Sequence, residues 1–148
     1  MNTGLQFPTQ RREDAKDAKQ ESTARINRLS AVVVDAALEV HRELGPGLLE
    51  SAYCAALKLE LEQRGEGVLR ESEVPCFYKG VSLGISYRMD MVVSGCLVIE
   101  VKAVQELLPI HHAQLLTYLR LSGHRLWLLI NFNVSLLKGS IKRVVNQL

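Results

Sequence analysis

Residues 89–103 read Met-Asp-Met-Val-Val-Ser-Gly-Cys-Leu-Val-Ile-Glu-Val-Lys-Ala, and this stretch decides how the rest of the chain is arranged. Two runs of β-forming residues flank the turn signal Ser94-Gly95, a pattern that predicts a β-hairpin. Three charged residues, Asp90, Glu100 and Lys102, stand inside these otherwise apolar strands. A charge in a strand interior is costly to bury unless a partner or a metal offsets its desolvation. The hairpin therefore predicts a site.

The loop of this hairpin determines whether its two acids meet. Side chains alternate along a strand, so every second residue shares a face. A two-residue loop at Ser94-Gly95 would pair Asp90 with Ile99 and turn it away from Glu100. A three-residue loop over 94–96 would place Asp90 opposite Glu100. Because a slip of one residue exchanges the faces of a whole strand, a shared acidic site requires the longer loop or a bulge.

Length and composition indicate one globular domain. The chain has 148 residues, of which 47% are hydrophobic and 23% charged, as is ordinary for a soluble protein. The net charge of +2 does not by itself indicate a nucleic-acid partner. The three cysteines form no zinc-binding pattern and are expected to be free thiols. The sequence shows neither a membrane span nor a secretory signal, so a cytoplasmic location is expected.

The amino-terminal third is predicted to be a polar arm followed by two helices. Residues 1–28 carry interleaved charges and little apolar surface, and we expect a solvated arm or a helix resting on the surface. The folded domain is expected over 29–148. Apolar residues at three- and four-residue spacing predict a helix over 29–44 and a second helix from about 48 to 64, whose apolar stripe begins at Leu49.

The remaining chain alternates in a way that favours an α/β fold with one mixed sheet flanked by helices. Strands are predicted at 68–78, 81–83, 86–93, 96–103 and 125–132, with a break at Gly84, a helix at 108–121 and a last strand or tail element at 140–145. The connection from Ala103 through the helix to Leu126 has the length of a crossover. It is therefore expected to make the two strands it joins parallel.

The paired acids favour one kind of chemistry. Two carboxylates one strand apart would repel each other, and a divalent cation between them removes that repulsion. Ligands that are all oxygen select Mg²⁺ or Mn²⁺. Lys102 could hold a water or a phosphate oxygen beside the cation, an arrangement suited to phosphodiester hydrolysis. Cross-strand ion pairing accounts for the same three residues without any catalysis.

Some polar helix residues have structural explanations as well. Glu50 lies in a first turn, where the helix dipole favours a carboxylate, and Tyr53 is its neighbour on one flank. His41 precedes a Gly-Pro-Gly loop, where the same dipole favours a cation. His111-His112 suit either metal ligands or a surface pair without such a role.

Several motifs resemble one family. Asp90, the hairpin, Glu100-Val101-Lys102 and a following helix with Gln114 resemble the PD-(D/E)XK nuclease superfamily. More narrowly, Gly-Leu-Leu-Glu-Ser-Ala-Tyr at 47–53 is similar to the signature that names the GxxExxY proteins, a small bacterial family assigned to that superfamily. The resemblance covers about residues 29–145 and extends to His41, Leu44–Gly47, Tyr87–Asp90, Ala113–Leu119 and Leu129–Phe132.

The resemblance implies a restriction-endonuclease-like core and a role for each motif residue. It implies that Glu50, Asp90 and Glu100 bind Mg²⁺ or Mn²⁺, that Lys102 is the catalytic lysine, and that Gln114 and Tyr118 assist. The residue before Asp90 is Met89, where the superfamily's name has proline.

The implied function is a metal-dependent nuclease acting on DNA or RNA. The alternative is a non-catalytic module that keeps the fold and binds nucleic acid or a protein. A symmetric homodimer spanning a duplex is compatible with the small size of the chain.

Overall fold

The computed structural model describes residues 8–146, and it shows an α/β protein with a five-stranded mixed sheet. The first seven residues of the predicted arm and the last two of the predicted domain lie outside the described residues. The elements are α1 (Pro8–Leu44), α2 (Glu50–Gln63), β1 (Val68–Tyr78), β2 (Val81–Val93), β3 (Leu97–Lys102), α3 (Pro109–Ser122), β4 (Leu126–Asn131), a 3-10 turn (Leu137–Ser140) and β5 (Ile141–Val145).

The strands follow one another across the sheet in chain order. β3 and β4 are parallel, as the crossover length predicts, and all other neighbours are antiparallel. Alternate strand residues pack against α1 and α2 on one face, where Ile99 and Leu128 are buried. The other face packs against α3, where Val98 and Trp127 are buried. The sheet therefore separates two apolar cores. Because β4 lies between them, its nearly continuous apolar run is buried on both faces.

The first helix is much longer than the sequence predicted. The predicted start at residue 29 is wrong. α1 runs for 37 residues without interruption. Its amino-terminal half is rich in Ala, Lys, Gln, Glu and Arg, which are strong helix formers even without packing. Side chains 9–22 are exposed, whereas Ile26 is buried in the first core. From Pro8 onward, the helical alternative for the polar arm is the one that the structure shows.

Two further expectations need correction. Leu49 is 77% exposed and precedes α2, so the apolar stripe of that helix begins at Tyr53 instead.

Gly84 does not end a strand, because β2 is continuous across it. The pairing shifts between Pro75 and Phe77 of β1, and Gly84 takes a positive φ of 70° opposite this irregularity. The glycine thus forms a β-bulge, which bends a strand without ending it.

No helix in the described part of the chain is long and apolar enough to cross a membrane.

Candidate active site

The hairpin between β2 and β3 has the three-residue loop that a shared acidic site requires. Val93 pairs with Leu97, which leaves Ser94, Gly95 and Cys96 between the strands. Positive φ angles of 48° at Ser94 and 72° at Gly95 let the Cys96 N–H reach the Val93 carbonyl at 3.1 Å. Cys96 is the additional residue that a two-residue loop at Ser94-Gly95 would have paired with Val93. The prediction of a longer loop is therefore confirmed.

The two strands separate at the predicted acids. Their last recorded pair is Met91 with Ile99, and one residue further the same register would bring Asp90 opposite Glu100. There the Asp90 carboxylate accepts a 2.8 Å hydrogen bond from the backbone N–H of Val101. The Asp90 side chain therefore replaces a backbone carbonyl of β2 as the acceptor for the Val101 N–H. This bond holds Asp90 against β3.

Asp90 also marks the point at which β2 changes face. Met91 is buried in the core under α1 and α2, whereas Met89 is buried in the core under α3. In a regular strand, residues two apart face the same way, so alternation is broken between them. On β1, the pairing passes from Arg70 to Ser72, and Glu71 between them has a positive φ of 57°. This shared irregularity directs Asp90 toward β3.

Glu100 and Lys102 lie on the α3 face, in alternation with the apolar residues of β3. Lys102 Nζ lies 3.6 Å from Glu100 Oε1, and the two side chains are 23% and 12% exposed. Glu100 Oε2 is buried and has no hydrogen-bond partner in the described residues. Burial raises the pKa of Glu100 to about 7, and the charge of Asp90 adds to this rise while Lys102 opposes it. Lys102 therefore offsets only part of the cost of keeping the buried Glu100 carboxylate charged.

Glu50 reaches the same place from the opposite face of the sheet. It is the first residue of α2, and its Oε1 accepts a 3.2 Å hydrogen bond from the N–H of Ala103, just beyond β3. Its charge contributes to raising the pKa of both Asp90 and Glu100, although burial is the largest cause for each. The structure therefore brings Glu50, Asp90, Glu100 and Lys102 together at the carboxyl end of β3.

The Tyr53 side chain holds the loop between α1 and α2, which precedes Glu50. Its hydroxyl donates a 2.6 Å hydrogen bond to the Gly45 carbonyl and accepts a 3.2 Å bond from the Leu48 N–H. Its ring is fully buried and stacks on Phe132 with 4.6 Å between ring centroids. The sequence predicted Tyr53 as part of the apolar stripe of the second helix and as a neighbour of Glu50, but not its contacts with the loop. The fixed spacing of glycine, glutamate and tyrosine was the signal for this anchoring function.

Asn131 holds the chain beyond Lys102 and was also missed. It pairs with Lys102 in the parallel ladder and is 2% exposed. Its Oδ1 accepts from the Val104 N–H at 3.1 Å, and its Nδ2 donates to the Val104 carbonyl at 2.9 Å. A buried amide that makes both bonds fixes the segment after β3. The available signal was a lone polar residue at the end of an apolar strand.

The two predicted α3 residues differ in placement. Tyr118 is half-buried, and its ring centroid lies 4.6 Å from that of Tyr87 and 6.2 Å from that of Trp127. Burial raises the pKa of Tyr118, with smaller contributions from Tyr87 and Glu100. Gln114 is exposed, and its side chain makes no hydrogen bond with the described residues. The structure therefore brings Tyr118 to the Glu100 side of the sheet and leaves Gln114 on the outer surface of α3.

Of the histidines singled out from the sequence, His41 and His111 have structural partners, whereas His112 is exposed on α3. His111 Nδ1 accepts a 3.0 Å hydrogen bond from the Leu108 N–H and so caps the start of α3. His41 Nε2 lies 2.8 Å from the Val134 carbonyl, to which it donates. These contacts account for both residues without a metal.

A family model described as the PD-(D/E)XK nuclease superfamily matches residues 27–144. The chain belongs to the PD-(D/E)XK nuclease superfamily. No curated protein and no solved structure matches the chain. The superfamily match spans α2, α3 and the sheet up to Val144 in β5, and the mixed five-stranded sheet agrees with a PD-(D/E)XK fold.

PD-(D/E)XK nucleases typically use a divalent metal ion, and the acids of this chain have the donor chemistry for one. Over residues 8–146, no three His, Cys, Asp or Glu side chains stand in an arrangement that would hold a metal as they are placed. Glu50, Asp90 and Glu100 nevertheless offer only oxygen, which Mg²⁺ and Mn²⁺ prefer. The buried Glu100 Oε2 has a free acceptor position that a cation would satisfy.

Proposed function

We propose that this chain is a metal-dependent nuclease that hydrolyses phosphodiester bonds of DNA or RNA, and that it is a GxxExxY member of its superfamily. The observation that carries the proposal is the buried Oε2 of Glu100 beside Lys102, for which residues 8–146 offer no hydrogen-bond partner. A buried carboxylate oxygen without a partner is unfavourable in a protein that only needs to fold. The same oxygen is favourable in a site that binds a cation and a phosphate.

Three acids would hold the cation. Glu50 and Asp90 each accept a hydrogen bond from a backbone N–H at the end of β3 with one carboxylate oxygen. These bonds fix where each side chain lies. Glu100 contributes the buried oxygen. When bound there, Mg²⁺ or Mn²⁺ would polarise the phosphoryl oxygen and make water a stronger nucleophile at neutral pH.

Lys102 would act on the attacking water and the phosphate. Its contact with Glu100 is a loose ion pair at 3.6 Å, which leaves ammonium protons for an incoming oxygen. A lysine in this position orients the water and stabilises negative charge that develops on the phosphate. The partly buried setting strengthens this electrostatic effect compared with open water.

Tyr118 and Gln114 would assist from α3. Tyr118 lies on the Glu100 side of the sheet, and its ring packs between those of Tyr87 and Trp127, which limits its movement. Gln114 is exposed one turn earlier, where an amide can contact a phosphate or a base of the substrate.

Cleavage assays test the proposal directly. Plasmid, single-stranded DNA and RNA are incubated with the parent and Mn²⁺ or Mg²⁺, beside Lys102→Ala and Asp90→Ala. Lys138→Ala is the matched control, because Lys138 is an exposed lysine on the 3-10 turn. We expect cleavage by the parent and by the control, and a loss of about 100-fold or more in both site variants.

Two results would overturn the assignment. Cleavage that persists unchanged in Lys102→Ala and Asp90→Ala would show that these residues do not perform the reaction. Binding of nucleic acid without cleavage by any form would favour the non-catalytic module. Mn²⁺ binding measured by calorimetry, with Glu100→Gln as the comparison, would then show whether the acids form a metal site.

A further inference from the structure

Arg70 brings a second basic side chain to the acidic site. It lies on β1 and pairs with Met91 of β2, the residue that follows Asp90. Because paired residues point to the same face and Met91 is buried under α1 and α2, the Arg70 side chain lies on that face. Lys102 lies on the opposite face, under α3. Two basic side chains therefore approach the acids from the two sides of the sheet.

The guanidinium of Arg70 has no acidic partner. Within residues 8–146 it forms no ion pair and donates no hydrogen bond, and its Nε is buried without a partner. The two terminal nitrogens are not among the buried atoms, so they are open to solvent. Glu71 is the next residue along the chain, but it has a positive φ of 57° and its carboxylate lies 3.7 Å from Arg88. The structure therefore leaves the positive charge of Arg70 uncompensated by a direct contact.

The charge of Arg70 reaches the acidic site without forming an ion pair there. It lowers the pKa of Asp90, although less than Lys102 does, and it also lowers the pKa of Cys54. Cys54 is buried on α2, which agrees with a position of Arg70 on the α2 side of the acids. Neutralising Asp90 is therefore not a sufficient explanation for Arg70.

A half-buried guanidinium without a partner suits a phosphate. Removing a charge from water is costly unless hydrogen bonds replace those of the solvent. A planar guanidinium can bind two oxygens of one phosphate through parallel hydrogen bonds, and it is more weakly hydrated than an ammonium. The proposed reaction brings a phosphodiester to the three acids and their cation. A phosphate oxygen is therefore the anion that would reach the open nitrogens of Arg70.

We propose that Arg70 binds a phosphate of the nucleic-acid strand at the acidic site, from the side of the sheet opposite Lys102. Lys102 acts on the attacking water, whereas Arg70 holds the strand equally in the ground state and in the transition state. A residue that binds both states equally lowers KM and leaves kcat nearly unchanged. The inference rests on the nuclease proposal for the identity of its ligand, but its test does not require cleavage.

Fluorescence anisotropy of a labelled single-stranded oligonucleotide and of its duplex measures the contact without turnover. The variants Arg70→Gln, Arg70→Lys and Arg143→Gln are each added to Lys102→Ala, which is expected not to cleave, and Mg²⁺ is present. Arg143 is exposed on β5, at the opposite edge of the sheet from β1, so it is the matched control. Far-UV circular dichroism shows that each variant is folded.

We expect Arg70→Gln to weaken binding by about 10-fold or more. The slope of log K against log salt should fall in magnitude by about 0.7 to 1, because one phosphate contact is lost. Arg70→Lys should keep the slope and recover only part of the affinity, since lysine cannot form two parallel hydrogen bonds. Arg143→Gln should change neither quantity. With Lys102 restored, Arg70→Gln should raise KM for cleavage by a similar factor and keep the parent kcat.

The outcomes separate this inference from the nuclease proposal. Equal affinity with and without Arg70→Gln, or a lower kcat at unchanged KM, would overturn the assignment of Arg70 alone. Full recovery of affinity in Arg70→Lys would contradict the paired hydrogen bonds. Weaker binding in Arg70→Gln, combined with a parent that cleaves nothing, would support the phosphate contact and overturn only the reaction. A protein that binds no oligonucleotide in any form would overturn both proposals.

Discussion

The hydroxyl of Tyr53 donates a 2.6 Å hydrogen bond to the carbonyl of Gly45, eight residues before it in the chain. The same oxygen accepts from the N–H of Leu48, so one buried side chain closes the loop between α1 and α2. Glu50 begins α2 immediately after this loop. The tyrosine therefore sets where the helix starts and, through it, where the Glu50 carboxylate reaches Ala103.

Replacing Tyr53 with Phe should loosen this loop while keeping the stacking on Phe132. The Gly45 carbonyl and the Leu48 N–H lose their shared partner, and we expect a loss of about 1 to 2 kcal/mol in the free energy of unfolding. Because the loop positions Glu50, Mn²⁺ affinity should also fall. Urea unfolding and calorimetry measure the two effects, with exposed Tyr78→Phe as the control. Unchanged metal affinity would show that the loop does not position Glu50.

The stability of the metal-free protein should depend on pH through Glu100. Burial raises the pKa of Glu100 from 4.5 to about 7. Between these values the folded protein holds a proton that the unfolded chain has released, so this group's contribution to stability falls as the pH rises and levels off above about 7. Glu100→Gln removes the group that titrates.

We therefore expect Glu100→Gln to gain stability over the parent as the pH rises from about 5 to about 8, by up to about 3 kcal/mol. Urea unfolding with a chelator present measures the difference at the two pH values. Exposed Glu106→Gln is the control and should show no such change. A parent and a Glu100→Gln variant that respond equally to pH would contradict the prediction.

Asp90→Asn and Asp90→Ala should separate the two functions of this side chain. An amide oxygen still accepts from the Val101 N–H, whereas alanine leaves that donor without its side-chain partner at a cost of about 1 to 3 kcal/mol. Both variants remove the negative charge, so the pKa of Glu100 should fall in each. Urea unfolding ranks the stabilities, and carboxyl NMR titration follows Glu100. Equal destabilisation by both substitutions would argue against the hydrogen bond.

Asn131→Ala should weaken the segment that follows Lys102. The substitution removes both bonds to Val104 and a 3.3 Å bond that Oδ1 accepts from the Asn133 N–H. We expect a loss of about 3 kcal/mol in unfolding free energy, together with slower cleavage because Lys102 is less well held. Asn27→Ala, which removes an exposed contact with Arg143, should cost about 0.5 kcal/mol or less. Similar losses in both variants would contradict this assignment.

Pattern and chain length predicted most of the sheet around the hairpin. The apolar run of residues 97–101 and the length of the crossover to Leu126 predicted the strand and the parallel pair. The sequence left two loop lengths open, and only the hypothesis that Asp90 and Glu100 meet favoured the three-residue loop and the register that the structure shows. The strand and the parallel pair depend on periodicity and chain length, which are properties of the local sequence. The face change of β2 at Asp90 could not be read this way, because it arises from a joint irregularity with Glu71 on β1.

Other features were missed for two different reasons. The length of α1 was underestimated, because a polar helix shows no apolar period even when its residues favour helix. Part of that polar stretch is held by Arg125, which donates to Ser22 and Thr23 from the start of β4. Asn131 and Tyr53 act on backbone groups of remote or irregular segments, which no local pattern identifies.

Because the Val101 N–H donates to the Asp90 carboxylate, the NMR signal of this backbone amide should change when the charge of Asp90 is neutralised. Val101 and Ala103 donate to the carboxylates of Asp90 and Glu50, so each amide senses the charge of a different acid. In a ¹H–¹⁵N spectrum these two signals would move as a cation is titrated in. Two resonances that lie two residues apart would thus reveal, without any substrate, in which order the acids engage an ion.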